Sequence, residues 1–216
     1  RLQPGIILND RLDLDYGWDI KTPEQCQPRE WLTVNGKRVI WEACQTFSGS
    51  WGYHRDESSW KSVEMLVQLL IDTVSKGGNL LLNVGPTSRG ELDERALARL
   101  QGIGEWMRRH GRSIYGCTEA PARFKCPRDC RLTYNPEKKR LYLHLFAWPC
   151  FGVFLDGFAK ELKYAQLLND GSEVLMSIPG PSHKEQRGGK SKDTVLLQLP
   201  TQKPNVTVPV IELFLA

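Results

Sequence analysis

Two carboxylates, one arginine and two aromatic rings occupy the first 53 residues at positions where strands and loops should meet. They are Arg11, Glu24, Glu42, Trp51 and Tyr53. Aromatic rings stack on the apolar faces of sugars, and an arginine can hold sugar hydroxyls. A pair of carboxyl groups supplies the acid and the nucleophile of glycoside hydrolysis. These residue types indicate a carbohydrate site as one hypothesis.

Each of these side chains also has a purely structural interpretation. Trp51 would suit a hydrophobic core, Arg11 a structural ion pair, and Glu24 a solvated loop. Spacing alone leaves both interpretations open.

Strand and helix patterns alternate through the first half of the sequence. Apolar runs predict strands at residues 5–11, 38–46 and 79–86. The first run suits a buried parallel strand, and three consecutive leucines in the last predict a strand covered on both faces. Apolar residues at helical spacing predict helices over residues 62–76 and 91–110. The second helix is expected to bury a face with Leu97, Leu100, Gly104 and Met107.

The second half changes to short strands separated by turn signals, a pattern typical of a β-sandwich. The candidates are residues 131–134, 141–146, 152–155, 162–168, 174–178, 194–199 and 209–214. The predicted fold class is therefore α/β followed by an all-β sandwich, with domains at residues 1–117 and 118–216. A (β/α)8 barrel takes about 250 residues, so if the first domain is a barrel, its roughly 115 residues hold only half of one.

Composition excludes several classes of protein. The chain has 216 residues, 40% hydrophobic and 25% charged, with a net charge of +4, as in an ordinary globular protein. A basic cluster at residues 184–192 contains Glu185 and two glycines, which favours a solvated loop over a nucleic-acid surface. No apolar stretch is long enough for a membrane span. Cys126 and Cys130 have a metal-like spacing, but no second pair completes a zinc site.

Six motifs in order resemble the α-L-fucosidases of glycoside hydrolase family 29. They are Asn-Asp-Arg at 9–11, Trp-Asp-Ile-Lys-Thr-Pro-Glu at 18–24, Trp-Glu-Ala-Cys at 41–44, Ser-Trp-Gly-Tyr at 50–53, the Gly-Gly-Asn-Leu-Leu-Leu-Asn segment within 75–86, and Ile-Tyr-Gly at 114–116. The resemblance implies that the first domain is the C-terminal half of a TIM-type (β/α)8 barrel. It also implies an enzyme that removes terminal α-L-fucose with retention of configuration.

The resemblance also implies roles for four residues. Glu24 matches the general acid/base, and Glu42 is the second choice, with bracing of the site as its alternative role. Arg11 matches a residue that hydrogen-bonds the fucose, and Trp51 matches an aromatic wall against its C6 methyl group. A buried methyl group needs no hydrogen-bond partner, so an apolar wall there makes physical sense.

The family's nucleophile is an aspartate on an earlier barrel strand, which is expected to lie upstream of Arg1. The chain opens on Arg1 rather than Met, which predicts a cut inside a longer protein. We therefore expect this chain alone to be inactive, and its unpaired strand edges to favour self-association or a homo-oligomer. No cofactor or metal is implied. The expected partner is a fucosylated oligosaccharide or glycoconjugate, not nucleic acid or a membrane, and the resemblance suggests a periplasmic, secreted or lysosomal location.

Three alternatives stay open. The first is a fucose-binding protein that keeps Arg11 and Trp51 without catalysis. The second is a hydrolase of another sugar, such as galactose, on the same barrel. The third is an interaction module in which the sandwich, residues 118–216, does the binding.

Overall fold

A computed structural model describes residues 3–12, 15–180 and 193–216. The basic cluster at residues 184–192 lies outside the described residues. The chain divides into two compact units, Arg1–Ile103 and Gly104–Ala216. This division falls within a helix, and the predicted domain boundary at residue 117 stays a prediction.

A three-stranded parallel sheet forms the centre of the first unit. Its strands are β1 (Ile20–Lys21), β4 (Ile40–Thr46) and β5 (Asn79–Asn83), in the order β1-β4-β5. Between β1 and β4, the strands β2 (Thr33–Val34) and β3 (Lys37–Arg38) form a hairpin. Its Asn35-Gly36 turn has φ of 50° and 74°, the left-handed geometry that this residue pair favours.

The strand predicted at residues 5–11 is absent. Only Asn9 forms a single bridge with Ile20, and a short 3-10 turn (Asp10–Leu12) follows. The Asp19 carboxylate accepts a hydrogen bond from the Leu8 amide at 2.8 Å. This amide is therefore not available for backbone pairing with a neighbouring strand. Ile6 and Ile7 are 58% and 69% exposed, so the burial predicted for this strand was wrong as well.

Helix α1 (Val63–Val74) follows the predicted pattern. Ser62 caps its first turn by accepting a hydrogen bond from the Met65 amide at 3.1 Å. The helix ends just before Gly77, which at φ 72° turns the chain into β5. The helix packs against β5 and buries one face, made of Leu66, Val67, Ile71, Thr73 and Val74.

Strand β5 forms as predicted but is less covered than three consecutive leucines suggested. Leu80 and Leu82 are half-buried, whereas Leu81 is 51% exposed. Neighbouring residues of a strand point to opposite faces, so helix α1, which packs against β5, cannot cover all three leucines.

Helix α2 (Glu94–His110) buries a different face from the predicted one. Leu97 and Leu100 are 48% and 37% exposed. The buried side chains are instead Ala96, Trp106 and His110. The prediction followed the spacing of the two leucines. Trp106 does not share that spacing, and a histidine and a small alanine add little to an apolar pattern.

The second unit is a sandwich of two antiparallel sheets. All seven predicted strands form: β7 (Cys130–Asn135), β8 (Arg140–Leu145), β9 (Gly152–Asp156), β10 (Leu162–Leu167), β11 (Met176–Ser177), β12 (Thr194–Gln198) and β13 (Val210–Leu215). With the short β6 (Thr118–Glu119), they pair in the orders β10-β13-β8-β7-β6 and β11-β12-β9. Alternate residues of both sheets share one apolar core, which includes Leu143, Leu155, Phe158, Leu197 and Leu213.

A buried histidine pair lies on the other face of the larger sheet. His144 donates from Nε2 to Thr133 Oγ1 at 2.9 Å, and His110 donates from Nδ1 to the Trp106 carbonyl at 2.9 Å. The rings of Trp106 and His110 stack at 4.9 Å. Burial lowers the pKa of both histidines, that of His144 to about 3.

We expect the stability of the chain to fall as the pH is lowered from about 6.5, the usual pKa of an unfolded histidine, towards 3. In that window the histidines of the unfolded chain bind protons, whereas the buried imidazoles of the folded chain stay neutral. Protonation therefore stabilises the unfolded chain and lowers the free energy of unfolding. Urea midpoints between pH 7.5 and 4.5 measure the effect. His144→Gln keeps a donor for Thr133 but cannot titrate, and it should flatten the pH dependence. An unchanged slope in His144→Gln would contradict the assignment.

None of the helices within the described ranges is long and apolar enough to cross a membrane.

Candidate functional site

The carboxyl ends of β1, β4 and β5 lie at one edge of the parallel sheet, which is where such folds place functional groups. Three segments leave from this edge: residues 22–24 after β1, the loop of residues 47–62 after β4, and Val84-Gly85 after β5. The predicted site residues Glu24 and Trp51 lie on the first two segments. Arg11, from the 3-10 turn, reaches the first.

Arg11 and Glu24 form an ion pair. Arg11 Nη1 lies 2.5 Å from Glu24 Oε2, with the two side chains 44% and 46% exposed. The same guanidinium donates to Thr22 through Nε to Oγ1 at 2.9 Å and through Nη2 to the carbonyl at 3.2 Å. The carboxylate raises the pKa of Arg11. Both side chains are therefore accessible to a ligand.

Asp10 fixes the backbone on which this pair stands. Its Oδ1 accepts hydrogen bonds from the Thr22 amide and hydroxyl at 2.9 and 2.7 Å, and its Oδ2 pairs with Lys21 at 3.1 Å. Burial would raise the pKa of Asp10, but the bonds from Thr22 and Lys21 outweigh it and hold the pKa below its usual value. Through these bonds Asp10 ties the turn to β1.

Glu24 is placed beside β4 by backbone pairing. Cys44 donates its amide to the Pro23 carbonyl at 3.0 Å, and the Gln25 amide donates to the Cys44 carbonyl at 2.9 Å. Glu42 and Cys44 share one face of β4, since alternate residues of a strand point the same way. The opposite face holds Trp41, fully buried. Glu24 and Glu42 therefore belong to the same side of the sheet.

Trp51 is 40% exposed, so it is not a core residue. Asn83, at the end of β5, donates from Nδ2 to the Trp51 carbonyl at 2.6 Å. Gly85 lets the two loops touch, since a Cβ there would lie 2.4 Å from the Gly52 carbonyl carbon and 2.5 Å from the Tyr53 nitrogen. The β5 end therefore supports the backbone under the indole ring.

We expect Gly85→Ala to lower the free energy of unfolding by about 1–3 kcal/mol, because backbone has to move to accept the methyl group. Gly104→Ala is the matched control, since its Cβ would meet nothing within 4 Å and a helix prefers alanine. Urea unfolding of the two variants measures the difference. Equal stability of both would contradict the close approach.

Glu57 is a functional candidate that the sequence patterns missed. Its Oε2 accepts from Ser50 Oγ at 2.6 Å, and its Oε1 accepts from the Ser59 amide and hydroxyl at 2.7 and 2.6 Å. These bonds lower its pKa to about 2, the Ser50 bond contributing most. The only sequence signal was a glutamate two residues before a serine, which is too common to be informative.

Helix α2 holds the far side of the same loop. Arg95 donates to the Glu57 carbonyl at 2.9 Å and the Arg55 carbonyl at 3.2 Å, and Asp93 fixes its guanidinium through two bonds of 2.8 Å. The guanidinium groups of Arg95 and Arg99 each lie 5.0 Å from the centre of the Trp60 ring. The loop that carries Trp51 is thus braced from both ends.

No metal centre is evident among the residues that the structure describes, which contain no group of three or more histidine, cysteine, aspartate or glutamate side chains suited to an ion. The six cysteines are free thiols, including Cys126 and Cys130. Burial raises the pKa values of these two thiols to about 11 and about 12.

A family model described as Alpha-L-fucosidase matches residues 1–112. The chain belongs to the α-L-fucosidase family. Its relatives in this family of glycosidases include the plasma α-L-fucosidase of Rattus norvegicus, 38% identical over 150 residues that cover 66% of this chain and 32% of the relative. The human plasma α-L-fucosidase is 36% identical over 126 residues, which cover 56% of this chain and 27% of the relative.

Solved fucosidase structures resemble the chain over nearly its whole length. α-L-Fucosidase isoenzyme 1 from Paenibacillus thiaminolyticus matches with a TM-score of 0.82 and 36% identity, covering 92% of this chain and 45% of that one. An α-fucosidase from Thermotoga maritima in complex with a mechanism-based inhibitor matches with a TM-score of 0.70 and 28% identity, covering 95% and 44%. This member of the family thus spans less than half the length of these relatives.

Proposed function

We propose that the protein to which this chain belongs is an exo-glycosidase that hydrolyses terminal α-L-fucose from glycoconjugates by a retaining, two-carboxylate mechanism. The observation that carries the proposal is the accessible Arg11–Glu24 pair at the same sheet edge as the exposed indole of Trp51. In this proposal residues 1–117 are the C-terminal half of the catalytic barrel and residues 118–216 its β-sandwich domain. The inhibitor complex of the Thermotoga maritima relative supports a fucosyl substrate.

Glu24 is the proposed general acid/base, with Glu42 as second choice. In the first step Glu24 would protonate the glycosidic oxygen as the bond to C1 breaks and a carboxylate nucleophile attacks C1. In the second step it would take a proton from the water that releases fucose. Arg11 occupies one Glu24 oxygen at 2.5 Å, so use of that oxygen on the substrate requires Arg11 to shift its bonds when sugar enters.

Arg11 and Trp51 are the proposed sugar-binding residues. Arg11 is exposed and carries several N–H donors, so it can exchange the Glu24 oxygen for a sugar hydroxyl. That exchange would free the Glu24 oxygen to contact the glycosidic oxygen of the substrate. Trp51 offers an apolar face for the C6 methyl group.

The nucleophile is proposed to be an aspartate outside this chain, which would leave the 216-residue chain inactive. Within the described parallel sheet, β5 has one unpaired edge and the outer edge of β1 carries a single bridge to Asn9, while Ile40 and Leu81 are exposed. These features support self-association of the isolated chain. Size-exclusion chromatography would show it, and a sharp monomer peak would count against it.

Release of 4-nitrophenol from 4-nitrophenyl α-L-fucoside tests the proposal. The chain extended upstream to the length of its relatives should release it, and the 216-residue chain should not. Release by neither folded protein, together with measurable binding of L-fucose, would favour a non-catalytic fucose-binding protein. Turnover by the short chain that is lost in Glu24→Gln would overturn the missing nucleophile.

A further inference from the structure

We propose that Glu57 is a positioning residue that sets the preference of the site for a C6 methyl group by holding the loop that carries Trp51. The inference rests on the proposed function, since it assumes that Trp51 faces the sugar. Glu57 itself is not proposed to touch the sugar or the reacting atoms.

The first support is the place of the Glu57 bonds within the loop. Ser50 immediately precedes Trp51, and its hydroxyl donates to Glu57 Oε2 at 2.6 Å. The other carboxylate oxygen holds Ser59, whose hydroxyl in turn accepts from the Gly49 amide at 3.0 Å. The Glu57 carboxylate therefore joins Ser50 and Ser59, which are nine residues apart in the loop, next to the exposed indole of Trp51.

The second support is the anchoring of the Glu57 backbone, which includes one bond from outside the loop. Its carbonyl accepts hydrogen bonds from Arg95 Nη1 at 2.9 Å and from Trp60 Nε1 at 3.1 Å. Arg95 lies on α2 and is itself held by Asp93. The backbone of Glu57 is therefore attached to a helix, while its side chain reaches back to the residue before Trp51.

The chemistry of the contact favours a carboxylate. Three donors converge on two oxygens, and an ionised carboxylate is an acceptor at both. In Glu57→Gln the amide oxygen could keep Ser59 and the amide nitrogen could donate to Ser50 Oγ, which replaces a charge-assisted bond to Ser50 by a weaker neutral bond of opposite direction. The position of Trp51 would then depend more on Asn83 and the backbone contact at Gly85.

The functional consequence concerns selectivity. L-Fucose and L-galactose differ only at C6, where fucose has a methyl group and galactose a hydroxymethyl group. A fixed indole against C6 excludes water and a hydroxyl partner, which favours fucose. A mobile indole leaves room for both. Loss of Glu57 is therefore expected to reduce the discrimination, beyond any loss of overall stability.

The test uses the chain extended upstream and measures dissociation constants for L-fucose and L-galactose by titration calorimetry. In Glu57→Gln we expect the ratio of the two constants to fall about tenfold towards one, because a small displacement of a positioned group has large effects. Ser50→Ala should lower the ratio in the same direction. The double variant should be no worse than Glu57→Gln if both act through one bond.

Asp170→Asn is the matched control. Asp170 Oδ1 accepts from the Ser172 amide and hydroxyl at 2.9 and 2.7 Å, the same arrangement as Glu57 with Ser59, but in the second unit. It should leave the ratio unchanged. A preserved ratio in Glu57→Gln would overturn the proposal, and if that variant does not fold, Ser50→Ala decides by the same criterion.

The outcome separates this inference from the proposed function. An extended chain that binds fucose over galactose but releases no nitrophenol would defeat the hydrolase proposal while the ratio still decides the role of Glu57. An extended wild-type chain with no preference between the two sugars would overturn the inference whatever its hydrolytic activity.

Discussion

Glu24→Gln in the chain extended upstream is expected to lower kcat by about 100- to 10,000-fold, the range of general acid–base catalysis. The loss should be largest with a natural fucosyl disaccharide, because a sugar alkoxide cannot leave without a proton. 4-Nitrophenolate leaves readily, so bond cleavage in the aryl fucoside should be less affected. Parallel kcat measurements on the two substrates give the comparison.

Glu42→Gln is the control for this experiment, since Glu42 lies on the same side of the sheet and is the rival candidate. A bracing role predicts a smaller loss of kcat that is similar for both substrates. If Glu42→Gln shows the substrate-dependent loss and Glu24→Gln does not, the acid/base assignment moves to Glu42.

Phe158→Ala is expected to lower the free energy of unfolding of the chain by about 3–5 kcal/mol, the usual cost of removing a buried phenylalanine ring. Phe158 is fully buried in the sandwich core, and its ring lies 4.8 Å from that of Phe124. Removal of the ring would therefore leave a cavity lined by apolar neighbours, which water cannot fill favourably. Urea unfolding followed by far-UV circular dichroism measures the loss.

Phe151→Ala removes the same ring from a site that is 51% exposed in the same unit, so its cost should be well below that of Phe158→Ala. Similar losses for both would show that the core around Phe158 collapses onto the vacant space. A smaller loss for Phe158→Ala than for Phe151→Ala would contradict the burial of Phe158 in the sandwich core.

The sandwich strands were predictable because their pattern is local. A strand with one face in the core alternates apolar and polar residues, and β8 does so where Leu141, Leu143 and Leu145 enter the core. Turn residues between strands mark the ends of each element. Helix α1 was predictable for the same reason, since Ser62 and Gly77 mark its ends.

Elements whose burial depends on distant partners were not predictable in this way. Residues 5–11 have the apolar composition of a strand, but the Asp19 carboxylate takes the Leu8 amide and leaves one bridge. The packed face of α2 contains His110, which local hydrophobicity counts as polar. Leu81 is exposed because its burial depends on what covers its face of the sheet, which the three leucines alone do not show.

The sequence by itself determined the family and the candidate residues Arg11, Glu24, Glu42 and Trp51, because six ordered motifs carry that information without any coordinates. It also determined most secondary structure, since periodicity and turn chemistry act over a few residues. Only the tertiary structure decided that Arg11 pairs with Glu24 and that Glu57 closes the Trp51 loop. Those contacts depend on side chains brought together by strand pairing and helix packing, and their energies arise only when the chain has folded.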